Sequence, residues 1–269
     1  MDGTITPPRK EIEGGMALLL RELSKIPVTL GIVSGSPWEY IEQQMSSLWT
    51  SSAGLGPDSL VMMPCNGTKL MRWEPDSGKF DLRYEVNFKE YMNNLAGKNV
   101  YIEFVKHILE LQIQFVHEYQ FENLTGNFLS YRESMINWSP VGRDAQDKER
   151  SAFVKLDQES NVRNKLREFL RVRLDASGLH ETELNLGGST SIDIHPVGWD
   201  KTHALRHFDD QTIFFVGDKC EPGGNDHSLY EALKPFGRAF STTGPDETAK
   251  IIRTQIMPQI LTQLEGTVN

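Results

Sequence analysis

Cysteine is scarce: Cys65 and Cys220 are the only two in 269 residues. Two thiols so far apart do not build a disulfide framework, and a reducing cytoplasm is the expected location. No run of about 18 or more apolar residues is present, so neither a transmembrane helix nor a membrane partner is expected. The opening MDGTITPPRKEIEG holds no apolar stretch of the kind a signal peptide needs, and no secretory signal is expected. Positive charge is also in deficit, with 28 Lys and Arg against 37 Asp and Glu and a net charge of −9. Such a chain is a poor nucleic-acid binder, and no nucleic-acid partner is expected. It can hold an anionic ligand only where cations are gathered locally, which makes the placement of its arginines informative. There is no internal repeat, low-complexity tract or Ser/Gly linker.

What is present alternates between strands and helices. Ile12, Met16, Leu19, Leu20 and Leu23 recur at helical spacing over 10–25. VTLGIV (28–33) reads as a buried strand ended by Ser34-Gly35-Ser36, and a second helix starts near Pro37. Residues 49–58 read as a loop, and LVMM (60–63) as a short strand before the turn Asn66-Gly67. This alternation predicts βαβ units and a mostly parallel sheet. The middle changes character: a strand at 79–86, helix over 88–111, extended segments near 112–121, 127–132 and 135–139, helix over 145–174, then strands at 182–187 and 191–195. After Pro196-Val197-Gly198 the alternation returns with a helix at 199–207, the strand TIFFVG (212–217), helices at 225–234 and 245–264, and a strand at 238–242. The expected organisation is a discontinuous α/β core, residues 1–87 and 196–269, interrupted by an inserted α/β domain at 88–195.

Five segments carry candidate chemistry. Asp2-Gly3-Thr4 is a common triplet that alone reads as a turn. More specific is the apolar strand ending in Gly217-Asp218, followed by Gly223-Gly224-Asn225-Asp226. Ligands bind beyond the carboxyl ends of strands in open α/β sheets, and two acids there suit a hard cation such as magnesium. A helix cap is the plainer reading of Asn225 or Asp226. Ser34 follows a strand, where a hydroxyl can bond a phosphate oxygen or cap the next helix. Lys201 opens a helix, the end at which the dipole disfavours a cation; it either faces a phosphate or stands in solvent. Arg132, Arg143 and Arg150 flank Met135-Ile136-Asn137-Trp138-Ser139-Pro140-Val141-Gly142. Arginine is suited to bidentate phosphate recognition, although surface arginines are common.

In combination, NWSPVGR (137–143), GGSTSIDIHPVGWDK (187–201) and FFVGDKCEPGGNDH (214–227) resemble the haloacid-dehalogenase superfamily, and within it the eukaryotic-type phosphomannomutases. The resemblance covers most of the chain. It implies a Rossmann-like core with an inserted α/β cap, and interconversion of mannose 6-phosphate and mannose 1-phosphate through an aspartyl phosphate. A hexose phosphate substrate, a hexose bisphosphate activator, Mg2+ and a homodimer through the cap are implied with it. Asp2 would be the general acid/base and give its carbonyl to the metal. Asp218 would ligate the metal, supported by Asn225 and Asp226, and Lys201 would neutralise the phosphoryl group. Arg9 and Ser34 would serve the core phosphate site. Arg132, Arg143 and Arg150 would hold the distal phosphate, with Ser191, Asp193, Asn137 and Met135 facing the sugar.

Three departures stand out. Arg132-Glu133-Ser134-Met135 replaces the family's R-N-G-M, putting a carboxylate where an amide is usual. Pro64-Cys65-Asn66-Gly67 replaces P-E-N-G. The family's nucleophilic aspartate falls at the position before Met1, and the apolar strand leading to it falls outside the numbering too. The expectation is a core sheet lacking that central strand, unless residues outside the numbering fill it. A phosphosugar phosphatase on the same scaffold and a catalytically silent sugar-phosphate binder are the alternatives.

Overall fold

The computed structural model describes residues 1–50, 59–96, 99–208 and 211–267. They form two compact units, Met1–Glu85 with Asp200–Asn269, and Val86–Trp199. In the first, a tight loop over residues 1–6 precedes α1 (Gly14–Leu23), which buries Met16, Leu19, Leu20 and Leu23 at the spacing seen in the sequence. Then come β1 (Leu30–Val33), α2 (Trp38–Met45), α3 (Ser47–Thr50), β2 (Leu60–Met63), β3 (Lys69–Glu74) and β4 (Lys79–Glu85). The strands lie in that order in one sheet; β1 and β2 are parallel, β2-β3-β4 antiparallel. Trp38, Trp49, Trp73 and Phe80 gather on this sheet, with ring centroids 5.0–6.3 Å apart.

The second unit holds α4 (Phe88–Ala96), α5 (Val100–Tyr119), β5 (Leu129–Tyr131), β6 (Ile136–Trp138), α6 (Asp147–Ser160), α7 (Val162–Ala176), β7 (Thr182–Gly187) and β8 (Ser191–Pro196). Its antiparallel sheet runs β5-β6-β8-β7. One face is apolar, with Ile136, Trp138, Ile192, Ile194 and Leu184 packed against Phe104, Ile108, Leu111 and Phe115 of α5 and Leu166, Leu170 and Leu174 of α7. The period of two then puts Asn137, Ser191, Asp193 and Asn185 on the opposite face. Trp138 Nε1 donates to Gln112 Oε1 (2.7 Å), and Gln112 Nε2 donates to Pro140 O (3.0 Å), which gives the buried indole and amide their partners.

The chain returns to the first unit with a 3-10 helix (Lys201–His207), β9 (Phe215–Gly217), α8 (His227–Leu233), β10 (Ala239–Ser241), α9 (Pro245–Ile251), a π turn (Ile252–Ile256) and α10 (Met257–Thr267). β9 and β10 pair in parallel, so the described core strands form two sheets instead of one. A cavity of about 620 Å3 is lined by 27–33 along β1 and 211–216 leading into β9, with Leu20, Leu23, Ile252 and Ile256 beneath.

Several expectations are corrected. The sheet is not mostly parallel, because β3, not anticipated, and β4 run antiparallel beside β2. Residues 112–119 are helical, not extended: Leu111, Gln112 and Phe115 continue the buried stripe of Phe104 and Ile108. The branched and aromatic side chains of IQFVHEY have high strand propensity, but the stripe they complete is helical. The 145–174 helix is two, broken at Asn161, whose backbone is left-handed (φ 54°). Of 49–58, Trp49 and Thr50 belong to α3, and 51–58 lie outside the described residues. The helix at 245–264 contains the π turn just before Pro258, which removes one helical donor and is accommodated by the widened turn. Among the described residues no helix is long and apolar enough to cross a membrane.

Candidate active site

The loop before α1 is built around one carbonyl. Met1 O accepts from the N–H groups of Thr4 (3.1 Å), Ile5 (3.0 Å) and Thr6 (3.3 Å), while Gly3 N donates to Thr6 O (2.9 Å). Gly3 has φ +73°, and a Cβ there would strike the Asp218 carboxylate, so glycine is required twice over. Thr4 Oγ1 donates to Asp218 Oδ1 (3.0 Å), tying the loop to the carboxyl end of β9. Asp2 Oδ1 accepts from Arg9 N (3.0 Å); Arg9 itself is exposed and left-handed (φ 60°), beside a polar cleft shared with Lys10, Tyr40 and Gln44.

Lys201 is 4% exposed and donates to Asp226 Oδ1 at 2.5 Å, so it does not stand in solvent. Asp226, 2% exposed, accepts a second bond from Lys219 N (3.0 Å). Burial pushes its carboxyl pKa up, but the charge and hydrogen bond of Lys201, with the Lys219 N–H, outweigh this and hold it below the usual carboxylate range. Burial first, then Lys201, lowers the Met1 amine to about 6, against Asp226, Asp218 and Asp2, which raise it. Burial pushes the nearby Cys220 thiol up to about 11, which leaves it inert as a nucleophile at neutral pH. Asn225 is exposed, next to Asp226 in the same loop. Ser34 is buried at the end of β1; its Oγ accepts from Ser36 N (3.1 Å) and its carbonyl from Asn66 N (2.8 Å).

The other unit gathers a second set. Asn137 Nδ2 donates to Ser191 Oγ (2.8 Å) and Asp193 Oδ1 (2.6 Å), and Arg143 Nη1 donates to Asn137 Oδ1 (2.7 Å). Arg150 Nη2 donates to Ser189 Oγ (3.1 Å) in the β7–β8 turn. Met135 is buried, and Arg132 lies on the turn before β6, where its N–H donates to Met135 O (2.9 Å). Among the described residues Arg132 has no side-chain bond to the Asn137 network. Sequence reasoning missed Thr4 and Arg163. Arg163 pairs with Asp157 (2.7 Å) and donates to Gly188 O (3.0 Å) and Ser191 O (3.3 Å), fixing the turn that presents Ser191. Thr4 stood inside the Asp-Gly-Thr triplet, and only its fold partner, 214 residues away, gives it a role.

The family model for eukaryotic phosphomannomutase matches residues 16–258, which include the whole second set and, of the first, Ser34, Lys201, Asp218, Asn225 and Asp226; Asp2, Thr4 and Arg9 precede the matched segment. The chain belongs to the eukaryotic phosphomannomutase family. A phosphomannomutase of Dendrobium officinale is 32% identical over 251 residues, covering 93% of this chain and 89% of that one. A probable phosphomannomutase of Caenorhabditis elegans is 31% identical over 259 residues, covering 93% and 91%. Among solved structures, an IMP-nucleotidase of Plasmodium falciparum superposes with a TM-score of 0.60 at 12% identity, over 95% of this chain; the chain spans 65% of that protein's length. A trehalose-6-phosphate phosphatase related protein gives 0.50 at 16% identity, covering 97% and 96%. These likenesses show for this chain a fold of the haloacid-dehalogenase type.

The 3-10 helix that carries Lys201 ends in a pH-sensitive contact. His207 Nε2 donates to Gly67 O (2.7 Å), and burial lowers its pKa below the ordinary 6.5, with the Gly67 carbonyl opposing and Arg206 and Arg72 adding to the lowering. The unfolded chain therefore takes up this proton at a higher pH than the folded one. The contribution of neutral His207 to stability is complete above 6.5 and is lost as pH falls toward the lowered folded value. Urea unfolding between about pH 7 and 5 should show a flatter stability profile for His207→Gln, whose amide can still donate to Gly67 O.

Proposed function

We propose that this chain interconverts hexose 6-phosphate and hexose 1-phosphate, with mannose phosphates as substrates and a hexose bisphosphate as activator. Carrying this reading is the buried Lys201–Asp226 pair beside Asp218 and Asp2, in a chain of the phosphomannomutase family. A lysine held almost dry and in one position is suited to a phosphoryl oxygen and of little use to a surface. Residues 1–87 and 196–269 would act as the core domain and 88–195 as the inserted cap.

Each residue then has a role. Asp2 donates a proton to the departing sugar oxygen and withdraws one from the incoming hydroxyl. Its anchor is the Arg9 N–H. Lys201 offsets charge on the transferring oxygens, while Asp226 holds its ammonium in place. Ser34 and Arg9 bind phosphate in the core. Arg132, Arg143 and Arg150 hold the distal phosphate, while Met135, Asn137, Ser191 and Asp193 face the sugar. In the family motif the carboxylate that accepts the phosphoryl group occupies the position before Met1.

The donors suit magnesium, which usually takes one or two carboxylates and fills its shell with water and phosphate oxygens. Among the described residues no group of three or more His, Cys, Asp or Glu is arranged to hold a metal, so the protein would offer few ligands. Asp218 and the Asp2 carbonyl would hold the ion, with Asn225 alongside; both Asp226 oxygens already accept hydrogen bonds. The ion, when bound, would screen the phosphoryl charge. A cytoplasmic location and a homodimer through the cap complete the proposal.

The test assays the 269-residue chain and a form with aspartate placed before Met1, with mannose 1-phosphate, Mg2+ and a trace of bisphosphate. Isomer formation without stoichiometric phosphate is the expected result for the aspartate-bearing form. Stoichiometric phosphate release would assign the chain to the phosphatases. Binding by calorimetry without turnover in either form would assign it to the silent binders.

A further inference from the structure

The position of Lys201 depends on an unusual element. A 3-10 helix rarely exceeds three or four residues because its hydrogen bonds are poorly aligned, yet this one runs seven, from Lys201 to His207. It therefore has to be held from outside. Residues three apart stand above one another in a 3-10 helix, so three rows are defined, and two of them are held by polar or close contacts from outside the helix. Lys201, Ala204 and His207 form the first. Lys201 reaches Asp226, His207 donates to Gly67 O, and Ala204 presses so closely on Gly67 that a Cβ there would lie 2.7 Å from the Ala204 Cα. At the N-terminus, Asp200 Oδ1 accepts from Thr202 N (2.8 Å) and Thr202 Oγ1 (2.5 Å).

His203 and Arg206 form the second row, and one side chain meets both. Arg206 Nη1 donates to the phenol oxygen of Tyr84 on β4 (2.8 Å), and that hydroxyl lies 3.3 Å from His203 Nε2. A guanidinium has only donors, so the phenol accepts from Arg206, and its own hydrogen is free to be donated to His203 Nε2. His203 is 2% exposed, and the ring packs beside Tyr84 at 6.1 Å. The first row fixes how far the helix stands from the 65–67 turn; the second fixes its rotation about its axis. Rotation decides where the Lys201 ammonium points.

We propose that Tyr84, bracing His203 and Arg206 from the sheet, is a positioning residue for Lys201. Tyr84 touches none of the groups assigned to the reaction and acts through the helix alone. The inference rests on the role given to Lys201 above. A misplacement of about 1 Å at a reacting group can cost up to ~100-fold in rate, and a partial loosening should cost less.

In the chain form that turns over hexose phosphate, Tyr84→Phe should lower kcat about five- to twentyfold and leave KM within about twofold. In a Lys201→Met background the same change should cost nothing further, because the group it positions is gone. His203→Gln, which keeps an acceptor for the phenol, should retain most of the activity, whereas His203→Leu should match Tyr84→Phe. Equal multiplicative losses in the two backgrounds, or an unchanged kcat in Tyr84→Phe, would overturn the inference. The 269-residue chain supplies a readout independent of the reaction. A crystal structure of Tyr84→Phe that keeps the 2.5 Å Lys201–Asp226 contact overturns it even if Lys201 proves dispensable for turnover; a displaced ammonium supports it in either case.

Discussion

Replacing Lys201 with methionine should lower turnover by about 10²–10³-fold, the scale on which loss of one preorganised donor to a developing anion is felt. Lys201 is 4% exposed and, among the described residues, has one acceptor, Asp226 Oδ1. Methionine preserves most of the volume, so the loss is of charge and not of packing. It should also destabilise the fold by about 3–5 kcal/mol, because Asp226 is left buried with an unpaired charge. The two effects separate in a double variant. Lys201→Met with Asp226→Asn removes both charges and keeps an oxygen to accept from Lys219 N. Denaturant unfolding should return to near the parent value, since replacing a buried ion pair by neutral groups is often without net cost. Turnover should not return. Recovery of activity in the double variant would show that the lysine serves only to neutralise Asp226.

Much of this site could be read from the sequence because its chemistry is local. A strand that ends Gly217-Asp218 and is followed by two glycines and Asp226 announces its geometry within ten residues. The same holds for β8, where Ser191 and Asp193 share a face by the period of two alone. What the sequence hides is partnership. Lys201 read equally well as solvent-exposed, since its carboxylate is 25 residues on and its burial arises from packing. Thr4 had no assigned role, because its bond to Asp218 spans the chain. The 3-10 character of 201–207 was also hidden. Its anchors are Gly67 and Tyr84, more than a hundred residues earlier, and local propensity distinguishes poorly between one helix type and another.

Trp138→Ala should be the most damaging single change in the second unit, at about 3–5 kcal/mol. The indole is fully buried among Ile192, Ile194, Phe153 and their neighbours, and its removal also leaves Gln112 Oε1 without its donor. The unsatisfied acceptor adds about 1–3 kcal/mol if no water reaches it. Asn137 is the adjacent residue on the same strand, facing the other way. Its side chain bonds Arg143, Ser191 and Asp193, and none of the core. Asn137→Ala should therefore act on the ligand. The prediction is a KM for hexose phosphate raised about ten- to a hundredfold, equivalent to ~1.4–2.8 kcal/mol of binding, with unfolding affected less than in Trp138→Ala. Titration calorimetry with the sugar phosphate and urea unfolding of both variants separate the two. If Asn137→Ala unfolds the unit as readily as Trp138→Ala while binding is untouched, the polar face is structural, and the ligand belongs elsewhere. The contrast is sharp because the two residues share one strand: its apolar side holds the sheet on α5 and α7, and that fixed sheet is what allows a carboxylate, an amide, a hydroxyl and an arginine to be held in register on the other.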